Sequence, residues 1–379
     1  MTIAIDPSTD HATIREAGAL GALADERWSE LDAGRRIPDD LYQRALRAEL
    51  FRTLVPAEMG GVGGSPVDWF RIGVELARND ASFGWVVTQG AAELGWIAAG
   101  GDPSWASTVA GAGRLVVGGA RPTFGGSWKF NTGCQGATWI GGLALVDGNT
   151  SSDGSPEVRF GWVPADRAQI LDDWDATGLR GSGSHGTVIA EQAIEAEWTF
   201  SPFEPTANDR GAHRCVVGNG NWPIAGSVAA TQLGIARRAI DEATQIARER
   251  APAPEFVPLV ESPTVQRALV RADGLWRACH ASVERELEHM WVEAARDEAL
   301  STARRVSLFA AHATASEQAR SIVESMCELA GTVVLDRDHP LSRCRRDSQA
   351  LQGHLATNGA AVEHAGRVHL GLIPEHRRI

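Results

Sequence analysis

The chain has 379 residues, of which 43% are hydrophobic, so it is long enough to bury a large core in two or three structural units. Its 36 basic and 48 acidic residues give a net charge of −12, which argues against nucleic acid or an anionic membrane as the main partner. The five cysteines form no CxxC pair and signal neither a metal site nor a disulfide framework. No segment approaches the ~20 uninterrupted apolar residues of a membrane helix, so we expect a soluble protein in the reducing cytoplasm.

The first part of the chain has the apolar spacing of helices. Between residues 11 and 110 apolar side chains recur at helical intervals, as at Leu20, Leu23 and Trp28. One Gly- and Pro-rich segment, VPAEMGGVGGSP at 55–66, interrupts this pattern. Because that segment is compact and begins with an apolar pair, we predict an ordered loop between helices.

The pattern changes to short strands and then returns to helices. Between 114 and 200, runs such as RLVVGGA, SWKFNTG, TWIGGLALV, VRFGWVP and TVIAEQAIEAEW alternate with Gly, Asp and Ser clusters, which predicts a small antiparallel β domain. After this region four long helical stretches with short connections predict an antiparallel bundle; they lie at 216–250, 262–297, 299–330 and 342–370. The predicted domains are therefore helical (1–113), β (114–204) and a four-helix bundle (205–379).

The order of these domains excludes several common enzyme folds. No strand leads into a GxGxxG motif and a helix, and GGVGGS at 60–65 lacks the βαβ context of a dinucleotide-binding loop. A Walker loop and a GxSxG nucleophile elbow are also absent from the sequence. The chain is therefore predicted to be mainly α with a central β domain.

Two helical segments resemble the acyl-CoA dehydrogenase superfamily. VPAEMGGVGGS with the following VELARNDASFGWVVTQG is similar to a turn and helix of that superfamily, and AIDEATQIARERAP is similar to the start of its C-terminal bundle. The match runs in register over nearly the whole chain. It implies an acyl-CoA dehydrogenase-like fold in which a flavin lies between the β domain and the bundle.

Three further segments resemble the two-component flavin-dependent monooxygenase, or hydroxylase, branch. WKFNTGCQGATW at 128–139 is similar to a strand reading Trp-x-Phe-x-Ser-Gly-Cys, and WDATGLRGSGSHG at 174–186 is similar to the Gly-Leu-Arg-Gly-Thr-Gly-Ser-His loop. RRDSQALQGH at 345–354 is similar to an Arg-Asp helix that ends in an active-site histidine. The resemblance implies reduced FMN or FAD from a separate flavin reductase, and oxygen transfer through a flavin hydroperoxide.

The resemblance implies a flavin contact for the strand at 128–139. A hydroxyl there bonds the central flavin ring, and Thr132 falls at that position, with Phe130 and Gly133 as cofactor-binding neighbours. Threonine keeps the donor of the usual serine but adds a methyl that restricts the rotamer. The alternative is that Thr132 is only a good strand former.

The same resemblance suggests other cofactor contacts. Ser182, Ser184 and His185 are rich in donors and flanked by glycines, so they could cradle the flavin edge or a phosphate; a tight turn is the alternative. Arg250 matches an arginine that reaches the flavin pyrophosphate from a neighbouring subunit, where a planar guanidinium suits phosphate oxygens.

The catalytic candidate implied by the resemblance is His354. Asp347 and His354 lie seven residues apart on one predicted helix and so share a face, with Asn358 one turn further on. A histidine there could donate to the distal oxygen of the hydroperoxide or deprotonate a phenol, since it titrates near neutral pH. We expect Asp347 to be an ion-pair partner of Arg345 or Arg346.

Three departures limit what the resemblance carries over. The dehydrogenases need a carboxylate base in the C-terminal bundle, but here no glutamate follows Asp347 until Glu363. Several hydroxylases carry a further histidine where this chain has Gln89 and Glu93. A histidine two places after the strand cysteine is replaced by Gly136, which opens room or removes a contact.

Together these features predict the oxygenase component of a flavin monooxygenase. We expect a homotetramer that oxygenates a small aromatic or heteroatom-bearing substrate with reduced flavin and O2. One alternative is an acyl-CoA dehydrogenase whose base has moved to another helix. The other is a non-catalytic relative that keeps the fold and serves as an assembly partner.

Overall fold

Helices form the N-terminal part of the chain, as the sequence predicted. The computed structural model describes residues 7–101, 115–118, 125–150, 156–192, 195–201, 215–216, 222–251, 257–296 and 300–372. Its first five helices are α1 (Pro7–Glu26), α2 (Trp28–Gly34), α3 (Asp39–Arg47), α4 (Pro66–Asn79) and α5 (Ala81–Gly100). The predicted loop before α4 is ordered: the amide of Gly63 donates to the carbonyl of Val55, and Ser65 forms a capping box with Asp68.

Helix α5 is the central element of the structure, since all twenty of its residues are buried. Its N-terminus is capped by Asp80, whose carboxylate accepts from the amide of Phe83 at 2.8 Å. Helix α4 packs so closely against it that a Cβ on Gly84 would lie 2.6 Å from the backbone nitrogen of Ala77. A helix buried on every side has no solvent-facing stripe, so each polar side chain on it needs a partner or a ligand.

In the middle of the chain, the described residues form seven strands in two small sheets. The strands are β1 (Leu115–Gly118), β2 (Gly126–Asn131), β3 (Trp139–Thr150), β4 (Pro156–Pro164), β5 (Ala168–Ile170), β6 (His185–Ile189) and β7 (Thr199–Phe200). One sheet has the order β1-β3-β4-β7 and the other β2-β6-β5. All pairings are antiparallel except β1 with β3, which is parallel. The predicted run at 187–198 forms β6 at its start and ends in a 3-10 turn, Ala196–Trp198.

The C-terminal bundle differs from the prediction in its last helix. The helices are α6 (Trp222–Glu249), α7 (Pro263–Ala295), α8 (Thr302–Ala330), α9 (Pro340–Leu351) and α10 (Gly359–His369). The single helix predicted at 342–370 is wrong: α9 ends at Leu351, and Asn358 caps α10 by accepting from the amide of Ala361 at 3.1 Å. The turn between them carries His354. Over the described ranges, no helix combines the length and hydropathy needed to cross a bilayer.

Candidate active site

A bulge in β2 sets the geometry of the predicted cofactor strand. Trp128 pairs with Thr187 and Asn131 with His185, so β2 holds one more residue than β6 between these pairs. Phe130 takes up the extra residue with a left-handed φ of 64°, uncommon for an aromatic residue, and its side chain is 67% exposed. Such bulges re-aim side chains beside functional sites.

A chain of hydroxyl groups runs through Thr132, at the end of β2. The indole Nε1–H of Trp85 donates to Thr132 Oγ1 at 3.0 Å, and Thr132 Oγ1 lies 3.0 Å from Ser184 Oγ. Ser184 Oγ in turn lies 2.8 Å from Ser182 Oγ. A hydroxyl has one proton and two acceptor sites. When Ser182 donates to Ser184 and Ser184 to Thr132, both acceptor sites of Thr132 are used and its own proton is free for a ligand.

The backbone beside this chain is held by bonds between the strand and the predicted loop. The amide of Gly133, at φ 74°, donates to the carbonyl of Ser182 at 2.8 Å. The hydroxyl of Tyr42 donates to the carbonyl of Gly133 at 3.1 Å. A Cβ on Gly136 would lie 2.5 Å from the Tyr42 ring. The expectation that Gly136 opens room in the site is therefore wrong. Tyr42 fills the space that a larger side chain at 136 would need.

His185 is buried behind the strand rather than exposed at the site. Its Nδ1 accepts from the amide of Trp174 at 3.1 Å, which leaves the proton of the neutral ring on Nε2. Burial is the main cause that lowers the pKa of His185, so the ring is neutral at pH 7. His185 thereby fixes Trp174, which meets Phe130 edge-on at 6.3 Å between ring centroids.

His354 reaches the site from the turn after α9. Its ring meets Trp85 edge-on, with 5.4 Å between centroids, and its Nδ1 accepts from the amide of Ala356 at 3.3 Å. Burial lowers the pKa of His354 to about 4. At pH 7 the imidazole is therefore neutral with its proton on Nε2, which makes it a hydrogen-bond donor and a weak base. The helical register that placed it beside Asp347 is wrong, because α9 has already ended.

Asp347 does not form the ion pair expected from the sequence. Arg345 pairs with Glu324, and Arg346 donates to the carbonyl of Arg337. The carboxylate of Asp347 instead accepts from the amide of Leu179 at 2.7 Å, on the predicted serine-rich loop. Burial is the main cause that raises the pKa of Asp347 to about 6. The reason is geometric: both arginines lie on other faces of α9.

The remaining predicted residues lie in two places. Arg250 follows the last residue of α6 and is exposed; its guanidinium makes no hydrogen bond or ion pair with any residue that the structure describes. Gln89 and Glu93 are buried on α5, one and two turns after Trp85 and on its face. The carboxamide nitrogen of Gln89 has no partner among the described residues.

Trp85 is the residue that sequence reasoning missed. It contacts both Thr132 and His354 and so joins the strand to the bundle. The sequence did carry a signal, since Trp85 lies four residues before Gln89 on the helix that the resemblance marked. Among 13 tryptophans, that spacing alone gave no reason to prefer it over a core residue.

Comparison with known proteins places this chain in a family. Residues 9–105 match the family model of the acyl-CoA dehydrogenase N-terminal domain, and residues 227–359 match that of the acyl-CoA dehydrogenase C-terminal domain. Indole-3-acetate monooxygenases from Acinetobacter baumannii and Pseudomonas putida are similar along most of the chain. The first is 26% identical over 91% of this chain and 90% of its own; the second is 28% identical over 92% and 91%.

Solved structures share the fold at lower identity. XiaF from Streptomyces sp. in complex with FADH2 superposes with a TM-score of 0.85 at 20% identity, covering 97% of both chains. The 3-HSA hydroxylase from Rhodococcus sp. RHA1 gives a TM-score of 0.84 at 22% identity, covering 97% of this chain and 98% of that one. The predicted fold, with a small sheet domain between two helical parts, is confirmed. The prediction of a flavin-dependent oxidoreductase of the monooxygenase type is also confirmed.

Proposed function

This chain belongs to the acyl-CoA dehydrogenase superfamily, and we propose that it is the oxygenase component of a two-component flavin-dependent monooxygenase. It takes reduced FMN or FAD and O2 and oxygenates a small aromatic or heteroatom-bearing substrate. The observation that carries the proposal is the junction at Trp85. There the hydroxyl of Thr132, directly after β2, and the neutral imidazole of His354 contact the same buried indole. The indole-3-acetate monooxygenases among its relatives act on a substrate of the proposed class.

The residues at this junction suit a flavin ring. The isoalloxazine is an aromatic plate with nitrogen and carbonyl groups on its edges, and the hydroxyl proton of Thr132 is available to it when Ser184 donates to Thr132. Phe130 and Trp174 supply aromatic surface beside it. When bound, reduced flavin supplies the two electrons with which O2 is split into one oxygen atom for the substrate and one for water.

The protein's own groups then have separate tasks. Thr132, held in place by the bond from Trp85, would donate its hydroxyl proton to a bound flavin. His354 presents Nε2–H as a neutral donor, because its pKa of about 4 keeps the ring uncharged at pH 7. Trp85 covers one side of the site with a buried apolar surface that excludes water. A water-free site favours transfer of oxygen to substrate over release of hydrogen peroxide.

The proposal extends to two partners. A chain that uses free reduced flavin needs a separate flavin reductase to supply it. We also propose a homotetramer in which Arg250, exposed in the single chain, reaches the pyrophosphate of FAD bound by a neighbouring subunit. A guanidinium with no partner in the described part of its own chain is available for that contact.

The dehydrogenase alternative lacks its usual base. Glu363 is the first glutamate after α9, and it is exposed on α10. A carboxylate that abstracts a proton beside a thioester has to be within hydrogen-bond reach of that proton. The test below distinguishes this alternative directly.

The test is a rapid-mixing experiment. The protein is mixed without oxygen with chemically reduced FMN or FADH2, then with O2, and the flavin absorbance is followed. We expect reduced flavin to bind more tightly than oxidised flavin, and its reoxidation to pass through a transient species that is absent without protein. A protein that purifies yellow with tightly bound FAD and is reduced by an acyl-CoA would refute the proposal and establish the dehydrogenase alternative. Failure to bind either flavin would indicate the non-catalytic alternative.

A further inference from the structure

The segment 174–186, here called the serine loop, crosses from the β domain to helix α9 before it returns to the site. It carries Ser182 and Ser184 at one end and touches α9 at Gly178 and Leu179. We propose that Asp347 is a positioning residue that clamps the serine loop to the segment carrying His354. The contact between Asp347 and the serine loop does not depend on the protein's function. Its effect on flavin binding and catalysis rests on the function proposed above.

The contact between loop and helix is close and strained. Leu179 has a left-handed φ of 52° and directs its amide at Asp347 Oδ1, at 2.7 Å. A Cβ on Gly178 would lie 2.1 Å from the carbonyl oxygen of Arg346, so only glycine allows the loop backbone to lie this near α9. Left-handed backbone is unfavourable for leucine and persists where surrounding contacts hold it. The carboxylate of Asp347 is the contact that captures the amide turned inward by this conformation.

The clamp is linked to the hydroxyl groups through a stiff stretch of loop. Arg180, the next residue, is tied by its guanidinium to the carbonyls of Asp32 and Ala176. A Cβ on Gly181 would lie 3.0 Å from the side chain of Leu31, which leaves no slack there. Ser182 follows at once. A shift at Leu179 therefore moves the serine hydroxyls relative to Thr132.

The contacts form a closed ring around the site. Thr132 bonds Ser184, and the serine loop runs back from Ser184 to Leu179, which bonds Asp347. From Asp347, α9 and the turn after it lead to His354. Trp85 contacts both His354 and Thr132 and so completes the ring. The carboxylate of Asp347 thus bonds the serine loop directly to α9 on the side of the ring opposite Trp85. Removing it opens the ring while leaving the side chains of Thr132, Trp85 and His354 chemically unaltered.

Charged groups on its own helix and on neighbouring elements surround Asp347. Asp80 at the start of α5 disfavours its ionisation, whereas Arg343 and Arg346 on α9 favour it. Arg343 also bonds Asp25. Asp32 and Arg180 line the same cavity of about 20 Å³.

The balance of burial and these charges raises the pKa of Asp347 to about 6. Above pH 6 the amide of Leu179 is held by a charged acceptor, and below it by a weaker neutral one.

The clamp is tested first on the flavin-free protein by hydrogen–deuterium exchange of peptides covering 174–186. Asp347→Ala removes the acceptor, and we expect exchange of the Leu179 amide to accelerate by on the order of 10-fold or more at pH 8. Asp347→Asn keeps a neutral oxygen acceptor and should restore much of the protection. Gln349→Ala, a change on the same helix as Asp347, loses only an exposed bond to Glu324 of α8 and should leave the loop unchanged.

The pH dependence separates positioning from simple packing. In the wild type, protection of the serine loop relative to a bundle peptide should fall as the pH drops through about 6, and in Asp347→Asn it should not change there. Reduced FMN binding should follow the same two profiles. Unchanged exchange in Asp347→Ala, or a wild-type profile retained in Asp347→Asn, overturns the clamp. If the exchange results hold but the wild type binds no reduced FMN, the clamp stands and the proposed function fails.

Discussion

The indole nitrogen of Trp85 donates to the hydroxyl of Thr132 across 3.0 Å, and this bond joins helix α5 to strand β2. The same ring meets His354 edge-on from the bundle. One side chain thus fixes the distance between the proposed flavin donor and the proposed catalytic imidazole.

Replacing Trp85 by phenylalanine tests this junction. Trp85→Phe keeps an aromatic ring beside His354 but loses the bond to Thr132, so we expect the free energy of unfolding to fall by ~0.5–1.5 kcal/mol. Reduced-flavin affinity should fall as well. Trp276→Phe is the matched control, since it loses an indole bond of 2.8 Å to the carbonyl of Leu233 in the bundle. Equal loss of flavin affinity in both variants would mean that Trp85 acts only through stability.

Thr132 is tested by removing and then restoring its hydroxyl. Thr132→Ala should weaken binding of reduced flavin by ~2- to 10-fold, because one hydrogen bond to the ring is lost. Thr132→Ser should bind like the wild type. Thr187→Ala is the control. It removes a hydroxyl on β6 that accepts from Asn131, and only the free energy of unfolding should change. Flavin titration of all three variants decides the matter; wild-type affinity in Thr132→Ala would remove this residue from the site.

His354→Ala should leave the fold and flavin binding nearly intact while slowing oxygen transfer by ~100- to 10,000-fold. Hydrogen peroxide should rise in step, because the activated oxygen then leaves without reaching substrate. Indole-3-acetate and resorcinol, which relatives act on, serve as first trial substrates. Over pH 6–8 the wild-type rate should show no inflection from His354, whose pKa is about 4. His289→Ala in the bundle is the control, and equal turnover per folded subunit in both variants would contradict the assignment.

His312 on α8 predicts how stability depends on pH. It is fully buried, its ring nitrogens have no partner in the described part of the chain, and burial lowers its pKa to about 3. Between pH 3 and 6.5 the unfolded chain binds this proton and the native state does not, so stability falls as the pH is lowered. The loss approaches ~1.4 kcal/mol per pH unit for this residue. His312→Phe should flatten the acid limb in urea titrations at pH 4.5–7, and an unchanged slope would show that His312 is protonated or hydrated in the native protein.

Arg250 is tested by comparing two flavins. Because the proposed contact is to a pyrophosphate, Arg250→Ala should weaken binding of reduced FAD by ~10-fold or more and leave reduced FMN nearly unchanged. Arg248→Ala, on the last turn of α6, is the matched exposed control. Loss of affinity for both flavins would point to a general charge effect, and no loss for either would exclude the contact.

The sequence by itself determined the fold and the family. Apolar spacing separated the helical parts from the strands, and the motifs at 128–139, 174–186 and 345–354 indicated the branch, because fold class follows from local periodicity and a few motifs. It also identified Thr132 and His354 as candidates. The resemblance, and not their residue types, distinguished these two from the other threonines and histidines of the chain.

Only the tertiary structure decided how these candidates are related. It ended α9 at Leu351, so His354 lies in a turn, and it turned Asp347 toward Leu179 rather than toward an arginine. It buried His354 enough to lower its pKa to about 4, and it placed Trp85 between the two halves of the site. Protonation depends on burial and on neighbouring charges from distant parts of the chain, and contacts between Trp85, Thr132 and His354 span more than two hundred residues. A local pattern contains none of these long-range distances, which is why packing alone decided them.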